Sequence, residues 1–159
     1  MTMDRFKIDE KGRVYWKGME VIHPRIKRYL LSLMDRDHEG VWVRNQHQQV
    51  GVDMEGTPFY VEAIREGERN GEIFLWAILN DGSEEVLDPS TLRIAPDNKV
   101  YCSIKRGRFE ALLTLSAYWQ LVRYLVQEED VFYFQLGSKK HPLRPVSYTH
   151  LTLPTNREV

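Results

Sequence analysis

Cys102 is the single cysteine in this chain of 159 residues, so no disulfide can form within it, and a reducing, cytoplasmic setting is the plain expectation. Long apolar runs are missing as well. None approaches the ~20 residues that a bilayer-spanning helix needs, and Met1-Thr2-Met3-Asp4-Arg5 lacks the hydrophobic region of a signal peptide. The expectation is a soluble protein with no membrane partner. A basic excess is absent too: 22 Lys+Arg stand against 23 Asp+Glu, a net charge of −1. That balance argues against a dedicated nucleic-acid binder, which carries surplus cations to meet phosphates.

Reactive constellations are equally scarce. His23, His38, His47, His141 and His150 form neither an HExxH motif nor a closely spaced pair, so a zinc site has no support. The serines lie in no nucleophile elbow, and no glycine-rich phosphate loop exists. Asp35-x-Asp37-x-Glu39-Gly40 resembles the start of a calcium loop, but the twelfth position is Gln46 rather than a bidentate Glu and no helix pattern follows. An ordinary loop leaving a helix is the reading, and neither metal nor cofactor is expected. Cys102 sits in a strand pattern, where a half-buried thiol is inert.

What is present is a globular composition, 42% hydrophobic and 11% aromatic. A chain of this size buries roughly 68–70% of its unfolded surface and needs no staple. Charge is uneven along it. Residues 1–45 hold ten Lys/Arg and seven Asp/Glu, residues 46–98 three and eleven, and residues 99–146 eight and four. Such runs read as solvated faces, with pairing between flank and centre as the alternative.

The punctuation gives the elements. Gly12 in a turn leads into a strand at Arg13–Lys17, and a brief strand follows at Met19–Ile22. Pro24 suits the first turn of a helix. Ile26, Tyr29, Leu30 and Leu33 follow at i, i+3, i+4 and i+7, which predicts one core-facing stripe on a helix ending near Met34. Strands are predicted at Val41–Arg44, Gln48–Met54, Phe59–Ile64 and Ile73–Leu79, with a hairpin loop at Glu66–Gly71 and a turn at Asn80–Ser83. A hairpin Val100–Ile104 and Phe109–Leu115 leads to a second helix capped by Ser116, whose apolar face is Tyr118, Leu121, Val122 and Leu125. Val131–Leu136 and a short strand near His141–Leu143 complete the pattern.

Two stretches run in the same order. Val14-Tyr15-Trp16, a short strand, Arg28-Tyr29-Leu30 and Val41-Trp42-Val43 are answered by Val100-Tyr101-Cys102, a longer strand, Arg123-Tyr124-Leu125 and Val131–Phe134. The fold class expected is α+β, mainly antiparallel sheet with two short helices and an internally duplicated strand–strand–helix–strand motif. Residues 1–65 make a first lobe and 66–146 a second, packed as one compact unit.

Three stretches carry a family resemblance: Ile8-Asp9-x-x-Gly12-x-Val14-Tyr15-x-x-Gly18, Val52–Phe59, and Leu79-Asn80-Asp81-Gly82 through Leu87-Asp88-Pro89. From about Phe6 to Leu143 the chain resembles a bacterial domain-of-unknown-function family, number 1285. The resemblance implies an α+β fold with a repeated motif and roles in signalling or ligand binding. It implies no catalytic residues. A second likeness concerns residues 147–159, which open with a charge-free run from Ser147 to Asn156. They resemble a read-through tail of translated metagenomic assemblies and are expected to be non-native; a polar terminal arm is the alternative.

The expected function is a non-enzymatic cytoplasmic module that binds a small ligand or a partner protein at the seam between the repeated units. His23, Asp53, Glu55, Asn80 and Asp81 are the expected ligand-binding residues. The alternative is a small hydrolase or isomerase with Asp53 or Glu55 as general base, since the two fall on one side of a strand. A structural interaction domain comes third, and the oligomeric state is left open. The aromatics Trp16, Trp42, Tyr101, Phe132 and Tyr133 can form a stacking platform, though core packing is the simpler reading.

Overall fold

The computed structural model describes residues 4–142 together with 144 and 145. The tail expected from residue 147 lies outside the described residues, as does Leu143 of the last predicted strand. The chain opens with β1 (Phe6–Ile8), β2 (Val14–Trp16) and β3 (Met19–Glu20), then α1 (Pro24–Ser32) and the meander β4 (Met34–Asp37), β5 (Gly40–Arg44) and β6 (Gln49–Met54). A long hairpin follows, β7 (Tyr60–Arg69) and β8 (Glu72–Leu79), with β9 (Glu84–Val86) on its edge. After a single 3-10 turn at Pro89–Thr91 come β10 (Arg93–Ile94), β11 (Val100–Ile104), β12 (Phe109–Leu113) and α2 (Leu115–Val122). Last are β13 (Leu125–Glu128), β14 (Val131–Leu136), β15 (Lys139–Pro142) and β16 (Arg144–Pro145).

The duplication is visible in the pairing. The first sheet has the order β3-β2-β1-β6-β5-β4, antiparallel throughout except where β1 and β6 run parallel. The second half repeats it: β12-β11-β10 is antiparallel, β10 pairs with β16 in parallel, and β15, β14 and β13 form the matching meander. In both copies a helix joins the hairpin to the meander. The copies run from β1 to β6 and from β10 to β16, and β7–β9 lie between them. The division expected at residues 65 and 66 falls inside β7.

The Arg-Tyr-Leu match, however, is out of register. Arg28-Tyr29-Leu30 lies inside α1, whereas Arg123 caps α2 and Leu125 already belongs to β13. Order of elements, rather than that tripeptide, carries the repeat.

Each helix starts on a side chain that accepts a free backbone N–H. Thr114 caps α2 by accepting from the Ala117 N–H at 3.1 Å, a correction to the Ser116 expected there. Strand β12 accordingly stops at Leu113, and the predicted Leu115 is helical. The stripe predicted to face the core on α1 needs a larger correction. Ile26 is 52% and Tyr29 57% exposed, and Leu31 is the helix's fully buried residue. Helix α1 ends at Ser32 because β4 pairs with β5 immediately after, so Asp35 and Asp37 stand on a strand instead of an exit loop. Likewise Glu66–Arg69 continues β7, and the turn shrinks to Asn70-Gly71.

One contiguous core joins all three parts. It holds Ile8, Val14, Leu31 and Val52 from the first copy, Phe59, Leu75 and Leu79 around the hairpin, and Phe109, Leu121 and Phe134 from the second. No described helix is long and apolar enough to cross a membrane.

Candidate functional site

The seam between the two copies is a cleft of about 560 Å³. Its floor comes from the link between β6 and β7. The Glu55 N–H donates to the Ile8 carbonyl at 2.9 Å and the Gly56 N–H to the Asp9 carbonyl at 3.1 Å, which ties the link to the turn after β1. Gly56 has no room for a side chain, because a Cβ would overlap the Glu10 backbone. Gly12, at φ +83°, is held against the Thr57 carbonyl in the same way. Across the seam the Thr57 hydroxyl donates to the Glu110 carbonyl at 2.5 Å, and the Tyr60 hydroxyl donates to the Lys11 carbonyl at 2.9 Å.

Half-buried side chains form the walls. The Arg93 guanidinium bonds both Glu110 oxygens and lies over the Tyr101 ring, 4.5 Å from its centroid. Such a fork-to-carboxylate pair fixes the plane of the guanidinium. Tyr60, Met54 and Leu112 supply further wall. The exposed rim carries Glu10, Lys11, Arg36, Glu55 and Lys99. Lys99 reaches Asp97 at 3.7 Å. Among the described residues, no carboxylate pairs with Lys11 or Arg36 and no cation with Glu10 or Glu55. Arg36 lies over the Phe109 ring, 5.1 Å from its centroid, so the cleft presents one cation, Lys11, and two carboxylates without ionic partners beside a wall of tyrosine and stacked arginine.

The five residues singled out in the sequence are dispersed. Glu55 stands on the rim of this cleft. Asp53 is exposed, pairs with Arg5 at 2.9 Å and shares with Glu55 a second cavity of about 560 Å³ beside Lys7 and Lys17. His23 caps α1, its Nδ1 accepting from the Arg25 N–H at 3.2 Å. The Asn80 side chain accepts from the Tyr60 N–H and donates to the Pro58 carbonyl, both at 2.9 Å, so it fastens the cleft's floor to β8. Asp81 is 8% exposed and accepts from Lys105 Nζ at 2.7 Å, from the Ser83 N–H at 2.9 Å and from its hydroxyl at 2.5 Å. Burial works to raise its carboxyl, but these bonds and the lysine charge outweigh it and hold Asp81 below the ordinary carboxylate range. Asn80 and Asp81 stand in the turn between β8 and β9, and Asn80 also lines a separate cavity of about 630 Å³ beside Arg28 and Tyr60.

Tyr60, Lys11, Arg36, Arg93 and Lys99 escaped notice because no spacing links them; only the parallel pairing of β7 with β12 and the closure of the seam bring them together. The acidic run after α1 is likewise committed. Arg44 pairs with Asp35 at 3.4 Å and Asp37 at 2.5 Å, and Arg108 reaches Asp35 at 2.6 Å. Bonds from Trp42 Nε1, Arg44 and the Glu39 N–H push the Asp37 carboxyl far down. Among the described residues, no cluster of three His, Cys, Asp or Glu is placed to hold a metal.

Two solved structures share this arrangement. A DUF1285 family protein from Silicibacter pomeroyi DSS-3 superimposes with a TM-score of 0.68 at 18% identity, covering 89% of this chain and 80% of its own. A second, from Shewanella baltica OS155, gives 0.60 at 16% identity, covering 76% and 92%. The fold is that of DUF1285 proteins. No family model matches the sequence and no curated protein does. At such identity the DUF1285 neighbours speak for architecture alone.

Proposed function

We propose that this chain is a non-catalytic bacterial module that works in the cytoplasm and binds a small zwitterionic ligand, of the amino-acid or short-peptide class, in the seam cleft. The observation that carries this reading is the rim of Lys11, Glu10 and Glu55, which have no ionic partners, with Arg36 over Phe109 beside them and Tyr101 and Tyr60 in the wall. A molecule with both charges satisfies both kinds of group, and the tyrosine faces offer it apolar contact. Its volume, about 560 Å³, lies within the range of small-molecule sites, roughly 300–1,000 Å³. Both fold neighbours come from bacteria, which supports the origin. A signalling role follows from ligand capture at a joint between two units, where occupancy can bias their packing.

The hydrolase or isomerase reading has less to rest on. Asp53 and Glu55 are both exposed, and Asp53 is paired with Arg5.

A thermal-shift screen with free amino acids, dipeptides, nucleotides and cyclic nucleotides tests the proposal. Zwitterions are expected to raise the melting temperature of the wild type and to leave a Lys11→Ala/Glu55→Gln variant unmoved. No shift with any compound, or equal shifts in wild type and variant, contradicts it.

A further inference from the structure

The two copies differ at one edge. In the second copy the outer edge of β12 is covered by β7 in parallel: the Leu112 N–H donates to the Phe59 carbonyl and the Thr114 N–H to the Val61 carbonyl, both at 3.0 Å. Helix α2 then lies over that added strand, with Ala117 and Leu121 buried and the Gln120 side chain accepting from the Ile64 N–H at 2.7 Å. In the first copy the corresponding edge is β3, and among the described residues β3 ends its sheet. Tyr15 pairs with Glu20 as Tyr101 pairs with Leu112, so Glu20 and Ile22 take the places of Leu112 and Thr114. The Val21 N–H bonds inward to the Val14 carbonyl at 2.8 Å, and antiparallel alternation therefore turns the Glu20 N–H outward. No described residue accepts from the Ile22 N–H.

The outer face of α1, the helix that follows this edge, is exposed to match. The cap His23 stands one residue further beyond Glu20 than Thr114 does beyond Leu112; counted from the caps, Ile26 holds the place of Ala117, and Ala117 is 0% exposed while Ile26 is 52%. Tyr29, Met19 and Ile22 extend the apolar surface, each more than half exposed. Arg25 flanks it on a helix with no acidic residue, and no described carboxylate pairs with it; Arg28 turns away, lining a cavity of about 630 Å³ with Glu62 and Asn80.

We propose that the β3 edge and the outer face of α1 bind an extended segment of a partner protein, added as a parallel strand in the manner of β7. Apolar side chains on one face of that segment pack on Ile26 and Tyr29, and a carboxylate meets Arg25. The chain's own β7 shows the chemistry, for Val61 and Ile64 are buried there and Glu62 lies exposed between them. This edge lies outside the seam cleft, so ligand binding there and strand capture here stand or fall separately.

Selection of short random peptides displayed on phage, using the full chain as bait, tests the proposal. Enriched peptides are expected to alternate apolar residues with Asp or Glu, and to bind more weakly as salt rises. Ile22→Pro and Ile26→Asp are each expected to weaken binding roughly tenfold or more, without lowering the melting temperature. If Ile22→Pro melts early, hydrogen exchange on the wild type replaces it: the Glu20 and Ile22 amides should gain protection when peptide binds. No enrichment, peptides that bind both variants unchanged, or absent protection overturns the proposal. So does a dimer in sedimentation that Ile26→Asp dissolves, which would seat a second copy on the edge instead of a foreign strand.

Discussion

Asp81 and Lys105 form the most deeply buried ion pair described, with side chains 2% and 19% exposed. Removing the cation leaves a buried carboxylate with only Ser83 as donor. Lys105→Met is expected to cost about 3 kcal/mol in urea unfolding at neutral pH. Because the folded Asp81 carboxyl titrates below its unfolded value of 3.8, the pair's contribution is complete above that value. It is lost as pH falls through the lower folded value. The gap between wild type and Lys105→Met should therefore close in acid, and a gap below 1 kcal/mol at neutral pH would mean the pair contributes little. Cys102 makes a second residue-level case. Burial, with Glu85 and Glu110 adding to it, pushes its thiol up to about 12. The folded protein should leave a thiol reagent at pH 8 untouched, while the urea-unfolded chain reacts fully; rapid reaction of the folded form would contradict the burial.

At the scale of elements, the link between β6 and β7 matters most, since it floors the cleft. Gly56→Ala forces the link away from the Glu10 backbone and is expected to destabilise by about 1–3 kcal/mol. Thermal melts beside a control Ala at exposed Glu68 measure it, and an unchanged melting temperature would show that the link yields freely. The link also shows what the sequence made legible. Strand positions followed from alternation and turn residues, and the first helix start from Pro24, because local chemistry sets those features. The face of α1 was misread because the spacing of Ile26 and Tyr29 reports amphipathicity without saying which side meets the core. Strands β1, β9 and β10 went unseen because two or three residues carry no period. The cleft was foreseen as a seam, but its lining residues come from strand crossovers that no local pattern encodes.

On the scale of the whole molecule, two copies and an intervening hairpin share one core, so no part has an apolar interior of its own. Unfolding should be a single transition. Tryptophan fluorescence samples the first copy at Trp16 and Trp42, the hairpin at Trp76 and the second copy at Trp119. It should coincide with far-ultraviolet circular dichroism across urea; separate midpoints would mean that the copies fold independently.

Amide chemical-shift mapping with the best zwitterionic compound tests most directly whether closure of the seam creates the proposed binding site. The account predicts saturable shifts at Gly56, Tyr60 and Tyr101, absent in the Lys11→Ala/Glu55→Gln variant. Shifts confined to other surfaces, or none at saturating compound, would contradict it.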